Sequence, residues 1–223
     1  MTPRSRRLRT GLIVAASLVV VAIVALLLAN MADSGSKKAK AKTGSAPVKN
    51  ATGLKLQLGV IHVQSAGPQA PMPSPLRRAV VAAAQSYVDD AILAPLEGGR
   101  VGSGYPKIFD PFAKVAASTT DRLALTEAGT GLVSGPLQAV ASHVQLDGLG
   151  DPTGQVVLVA ASFSMKIDGS TPTGPLTIAR ATELTFAKES GKWVVTAYNV
   201  GVRRTIDHST TVTTARSSSG TAP

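Results

Sequence analysis

The spacing of hydrophobic positions changes several times along the chain, and each change predicts a different kind of element. Gly11–Ala29 (GLIVAASLVVVAIVALLLA) carries no charged side chain, and Ser17 is its only hydroxyl. Nineteen residues at about 1.5 Å rise make a helix of about 28 Å, close to the hydrocarbon thickness of a bilayer. A core helix would keep one polar face. This segment is apolar all round, which predicts a transmembrane helix over 11–29. A cleaved signal peptide is the rival reading, but the apolar run exceeds the usual length and no clear Ala-x-Ala site follows it. Residues 30–53 lose all periodicity and are rich in Lys, Ala, Gly and Ser, the composition of a flexible linker.

Periodicity returns at residue 54. Leu54, Leu56 and Leu58 alternate with Lys55 and Gln57, which predicts a strand over 54–63. After a Gly/Pro-rich break, Ser74 and Pro75 open a helix, Ser74 as its cap and Pro75 in its first turn. Leu76, Val80, Ala83, Ala84, Tyr87, Val88, Ala91 and Ile92 form its apolar stripe, and Pro95 with Gly98-Gly99 ends it. Short helices are expected over 108–117, with Asp110 as cap and Pro111 following, and over 121–128, stopped by Gly129. From Leu137 the period becomes two. Val140, Ser142, Val144 and Leu146 share one side of a strand. Val157, Val159, Ala161, Phe163, Met165 and Ile167 share one face of a longer strand over 155–168. Two more strands are expected over 176–188 and 193–204. Residues 207–223 have so little apolar mass that they read as a disordered tail.

Charge alters the first impression of this chain. A net charge of +10 suggests nucleic acid. However, residues 1–53 hold nine basic residues against the single acid Asp33, whereas 54–206 hold 13 against 11. The excess therefore flanks the hydrophobic segment, where it suits a membrane surface. Aromatic residues make up 4%, too little for a stacking platform, and no nucleic-acid partner is expected. The Lys/Arg counts on the two flanks tie. Arg9 lies next to the helix, and a ten-residue tail before a long domain is the layout of an uncleaved signal anchor, so 1–10 are expected in the cytoplasm and the domain outside it.

Reactive chemistry is sparse. Cysteine is absent, and His62, His143 and His208 are too scattered for a local metal motif. The GGRVGSG run at 98–104 lacks the Lys-Ser/Thr of a phosphate loop, and neither a Gly-x-Ser-x-Gly elbow nor His-Glu-x-x-His occurs. Asp89 and Asp90, the Asp121-Arg122 pair and His143 are the candidates for acid–base work. Solvated acids, a helix cap and an exposed histidine are the simpler readings. No catalytic, cofactor or metal residue is assigned.

Helices followed by long hairpins, with Gly191-Lys192-Trp193-Val194-Val195 leading to Tyr198 and Val200, resemble the NTF2-like superfamily. The layout of basic tail, anchor, linker and domain is similar to the Mce-associated membrane proteins of actinobacteria. The resemblance covers about 74–204. It implies an α+β domain over 54–206, a cone of helices packed on a curved antiparallel sheet. Some members of that superfamily are isomerase- or cyclase-type enzymes with an acid or His in the cone. The function expected here is different: a membrane-anchored, non-catalytic accessory domain that binds an envelope protein or an apolar ligand, with the lipid bilayer as its other partner. The small-molecule isomerase or cyclase is the alternative.

Overall fold

Alternation sustained over 15 or 16 residues at a time makes strands the dominant element. The computed structural model describes residues 54–65, 67 and 71–217, all within one unit spanning 45–223. The first strand, β1 (Leu58–Ser65), is followed by helix α1 (Ser74–Tyr87). That helix runs on through a π-helical segment, Val88–Leu93, into α2 (Ala94–Gly98). A 3₁₀ turn (Tyr105–Lys107) leads to α3 (Pro111–Ser118) and the four-residue α4 (Arg122–Leu125). The remaining strands are β2 (Gln138–Ala141), β3 (Val144–Gly150), β4 (Val156–Thr171), β5 (Gly174–Glu189), β6 (Lys192–Ile206) and β7 (Ser209–Ser217).

The seven strands form one sheet in the order β1-β3-β4-β5-β6-β7, with β2 pairing beside β3 on the same edge of β4. β1 runs parallel to β3 and every other pairing is antiparallel, so the sheet is mixed. One face carries Val159, Phe163, Met165 and Ile167 of β4, Ile178, Leu184 and Phe186 of β5, and Val200 and Val202 of β6. These pack with Leu76, Val80, Ala84 and Tyr87 of α1 in one hydrophobic core. Asp110 caps α3 as its position predicts, accepting from the Phe112 and Ala113 amides at 2.7 Å. Ser74 does not cap α1. It is already helical, follows Pro73, and its hydroxyl accepts from the Arg77 guanidinium at 2.5 Å.

The α+β fold class expected above, an N-terminal transmembrane helix followed by an NTF2-like cone, is corrected by this architecture. The described chain is a mostly-sheet, seven-stranded mixed sheet with few helices. Gly98 and the left-handed Gly99 end the Ser74–Gly98 helical run and Pro111 opens α3, so helix is confined to the stretch before β2, whereas no proline falls inside β4–β6 beyond Pro175 near the start of β5. The strand expected over 54–63 is present as β1, and a further strand, β7, forms in the stretch expected to be unstructured. Among the described residues no helix is long and apolar enough to cross a membrane. The expected tail, transmembrane helix and linker, 1–10, 11–29 and 30–53, lie outside the described residues.

Two local corrections follow, one from register and one from a turn. A single strand through Val140–Leu146 would place Val140, Ser142, Val144 and Leu146 on one side. Instead the chain breaks at Ser142-His143, and the pairing shifts from Ala141↔Met165 to Gln145↔Ser162. That one-residue slip puts Ala139 with Val144 and Leu146 in the core. The second concerns 207–217. Asp207 (φ 44°) and His208 (φ 68°) form a two-residue turn with both residues left-handed. The turn folds the Thr-rich β7 back along β6 from Ile206↔Ser209 to Tyr198↔Ser217. An edge strand needs few apolar side chains; β-branched threonines and the single buried Ala215 suffice.

Truncating the chain after Ile206 tests this strand. Removing β7 is expected to lower the unfolding free energy by roughly 2–4 kcal/mol through lost cross-strand pairs. It should also bare the β6 edge to self-association. Urea titration and sedimentation read the two effects, and an unstructured tail would leave both unchanged.

Candidate functional site

A four-residue helix cannot hold itself together, because nucleation costs more than one turn of hydrogen bonds returns. The α4 turn persists because side chains from three other elements satisfy its orphan carbonyls. Tyr87 of α1 donates to Leu125 O at 2.8 Å. Arg180 of β5 donates through Nη2 to Ala124 O at 2.7 Å and to the Tyr87 hydroxyl at 2.9 Å. Arg204 of β6 donates through Nη2 to Leu123 O at 2.9 Å and Thr126 O at 3.1 Å.

Glu127 ties the two arginines together. Its side chain is fully buried and Arg180 is 1% exposed. The Arg180 guanidinium (Nη1) donates to one carboxylate oxygen, and Arg204 Nε donates to the other at 2.6 Å. Arg204 Nη2 also reaches the first oxygen at 3.0 Å, and Thr130 Oγ1 adds a fourth hydrogen bond at 2.6 Å. Burial alone would raise the Glu127 pKa, but the two guanidinium groups and Thr130 hold the carboxyl below its ordinary value. Burial pushes the Tyr87 phenol up, so it stays protonated and donates. Two cations face one carboxylate, and the negative end of the α4 dipole meets the surplus positive charge. Arg180 Nε and Thr182 Oγ1, two residues apart on the core side of β5, have no hydrogen-bond partner among the described residues.

The same devices fix α3. Phe109 makes a bridge to Val195 of β6 beyond the end of β7, with the Asp110 amide on Val195 O at 2.9 Å. Tyr105 donates to Ala117 O at 2.8 Å, and Tyr198 to Asp121 Oδ2 at 2.6 Å. Rings of Tyr87, Tyr105, Phe109 and Tyr198 follow one another at centroid spacings of 6.3, 5.4 and 5.8 Å. Burial is the first cause of the raised pKa of both Tyr105 and Tyr198. All three tyrosines of the chain thus spend their hydroxyls on α3, α4 and the turn between them.

What these anchors leave outside is a helical surface with an unusual composition. Phe112 is 81% exposed, Val115 66% and Leu123 62%. Lys107, Lys114 and Arg122 are exposed around them, while Asp110 and Asp121 turn inward as cap and tyrosine partner. The opposite sheet face presents a polar row in register across five strands, Gln145, Ser162, Glu183, Asn199 and Arg216. Partial burial, and secondly the Asp147 carboxylate, raise the Glu183 pKa, with Arg216 opposing.

The structure does not bring the expected acid–base candidates together. Asp90 lies in the π-helical segment, accepting from Ser86 at 3.3 Å. Gly102 and Gly104 close on its carboxylate so tightly that a Cβ at either position would overlap it, which explains those two glycines in GGRVGSG. Asp89 accepts from Gln85, and Asp121 from Tyr198, with Arg122 directed outward. His143 is exposed beside Gln57, His62 beside Asp147 at 3.1 Å, and His208 occupies the β6–β7 turn. No cluster of three or more metal-ligating side chains occurs among the described residues. Sequence reasoning missed Glu127, Arg180 and Arg204. A signal was available for Arg180: it falls in phase with Leu176, Ile178, Leu184 and Phe186 on the core side of its strand. No family model, no curated protein and no solved structure matches this chain.

Glu127→Gln leaves two guanidinium groups around a neutral amide and is expected to cost about 3–5 kcal/mol at pH 7, read by denaturant unfolding. The lowered folded pKa gives the sign of the acid response. Stability from Glu127 is complete above the ordinary carboxyl value of 4.5 and is lost as pH falls below it; the Gln variant lacks that loss. Glu183 has the opposite sign. Its raised pKa means that ionisation weakens the fold, so stability falls as pH rises from 4.5 through the raised value. Glu183→Gln should therefore raise the thermal midpoint at pH 7 and leave it unchanged near pH 4.

Proposed function

We propose that this chain is a single-pass membrane-anchored protein whose sheet domain is a non-catalytic binding or accessory module held outside the cytoplasm. The observation that carries the reading is the uncharged, all-round apolar Gly11–Ala29 run, with the chain's basic excess divided between its two flanks. The domain's inner chemistry is consistent with it. Glu127 is enclosed by two guanidinium groups, and the tyrosines are committed to backbone carbonyls and Asp121. Those groups serve to position helices. Surfaces open to a partner include the α3–α4 helical face and the polar row around Glu183.

Membrane fractionation with alkaline carbonate, followed by protease treatment of intact cells, tests both halves. The full chain should stay in the carbonate-resistant pellet and lose its domain to external protease. A soluble mature protein beginning near residue 30 overturns the anchor, and full protection of the domain overturns the orientation.

A further inference from the structure

We propose that the α3–α4 surface docks on an anionic lipid bilayer, with Phe112, Val115 and Leu123 entering the interface and Lys107, Lys114 and Arg122 facing the headgroups. The geometry starts from helix spacing. Phe112 and Val115 are three residues apart on α3 and project from the same side of it. Leu123 stands on α4, which packs against α3 and is joined to it by residues 119–121. All three are more than 60% exposed, and Phe112 at 81% is the most exposed large apolar side chain among the described residues.

Charge selects the occupant. Between residues 98 and 126 the acids are Asp110 and Asp121, and both point into the protein, one to cap α3 and one to receive Tyr198. The bases in the same stretch, Arg100, Lys107, Lys114 and Arg122, all point out. Lys107 ends the 3₁₀ turn against which α3 packs. An apolar patch whose exposed charges within residues 98–126 are all cationic matches the boundary between acyl chains and anionic headgroups, where each Lys or Arg strengthens adsorption by about fivefold. The patch is also held rigidly. The carbonyl anchors from Arg180, Arg204, Tyr87 and Tyr105 fix both helices, so docking does not have to order a loop.

The inference rests on the membrane-anchor reading in one respect. An anchor at 11–29, joined to the domain by the 24 residues 30–53, would turn weak adsorption into an intramolecular event.

The absence of cysteine makes the test direct, since one introduced thiol labels one site. The full chain carrying Val115→Cys, labelled with an environment-sensitive fluorophore, is mixed with phosphatidylcholine vesicles with or without phosphatidylglycerol. Val212→Cys, on the far face of the sheet edge, is the control. The label at 115 should blue-shift and be quenched by lipid-borne quenchers in anionic vesicles only. The signal should disappear at about 1 M salt, where the screening length is near 3 Å. Lys114→Glu with Arg122→Glu should weaken the response by about tenfold or more. Equal signals at 115 and 212, equal signals in neutral vesicles, or a shift produced by envelope protein and not by lipid each overturn the proposal. Vesicle flotation separates this from the anchor. A chain that floats without a shift at 115 keeps the anchor and loses the docking face; a chain that shifts at 115 in anionic vesicles but does not float with neutral ones does the reverse.

Discussion

The carbonyl oxygens at the end of the α4 turn are the constraint on which this arrangement depends. A helix of four residues leaves almost all of its acceptors unpaired, and burying them unpaired would cost more than the turn gains. Arg180, Arg204 and Tyr87 supply the donors, each from a different element. Because guanidinium is planar with several fixed donors, one group satisfies a carbonyl and a carboxylate together. Glu127 then neutralises part of the charge that this solution brings into the core. Without the turn neither arginine has a reason to be buried, and without the arginines the turn has no reason to be helical.

The consequence reaches the surface. Once the inner sides of α3 and α4 are committed to the sheet, Phe112, Val115 and Leu123 have no interior position left to them. Acids in that stretch are drawn inward because a helix cap and a phenol need acceptors, and the bases stay exposed. An apolar, cationic surface thus follows from the same hydrogen-bond accounting that stabilises the core. Surface and interior are two sides of one electrostatic arrangement.

The sheet's two edges show how much weaker edge signals are than central ones. β4 and β5 are covered by partners on both sides along most of their length, and their alternation can be read position by position. β7 needs to bury only one neighbour-facing strip, and its Thr-rich sequence carries little hydrophobic contrast. β1 pairs in parallel with a strand some eighty residues away, which no local pattern encodes. The parallel β1 edge and the added β7 replace the expected cone of helices on a curved antiparallel sheet with a mostly-sheet domain built on a mixed sheet.

By itself the sequence determined which segments alternate, where Asp110 caps a helix, and that the basic excess lies around a long apolar run apart from the domain. These are local properties, set by period, propensity and charge within a few residues. Only the tertiary structure decided that Glu127, Arg180 and Arg204 meet, that Asp90 fits beneath Gly102 and Gly104, and that 209–217 is a strand. Each of these joins residues distant in the chain or depends on register, and register is fixed by the whole set of cross-strand contacts. A buried charge is legible in a sequence as an exception to the apolar pattern; its partner is legible only in space.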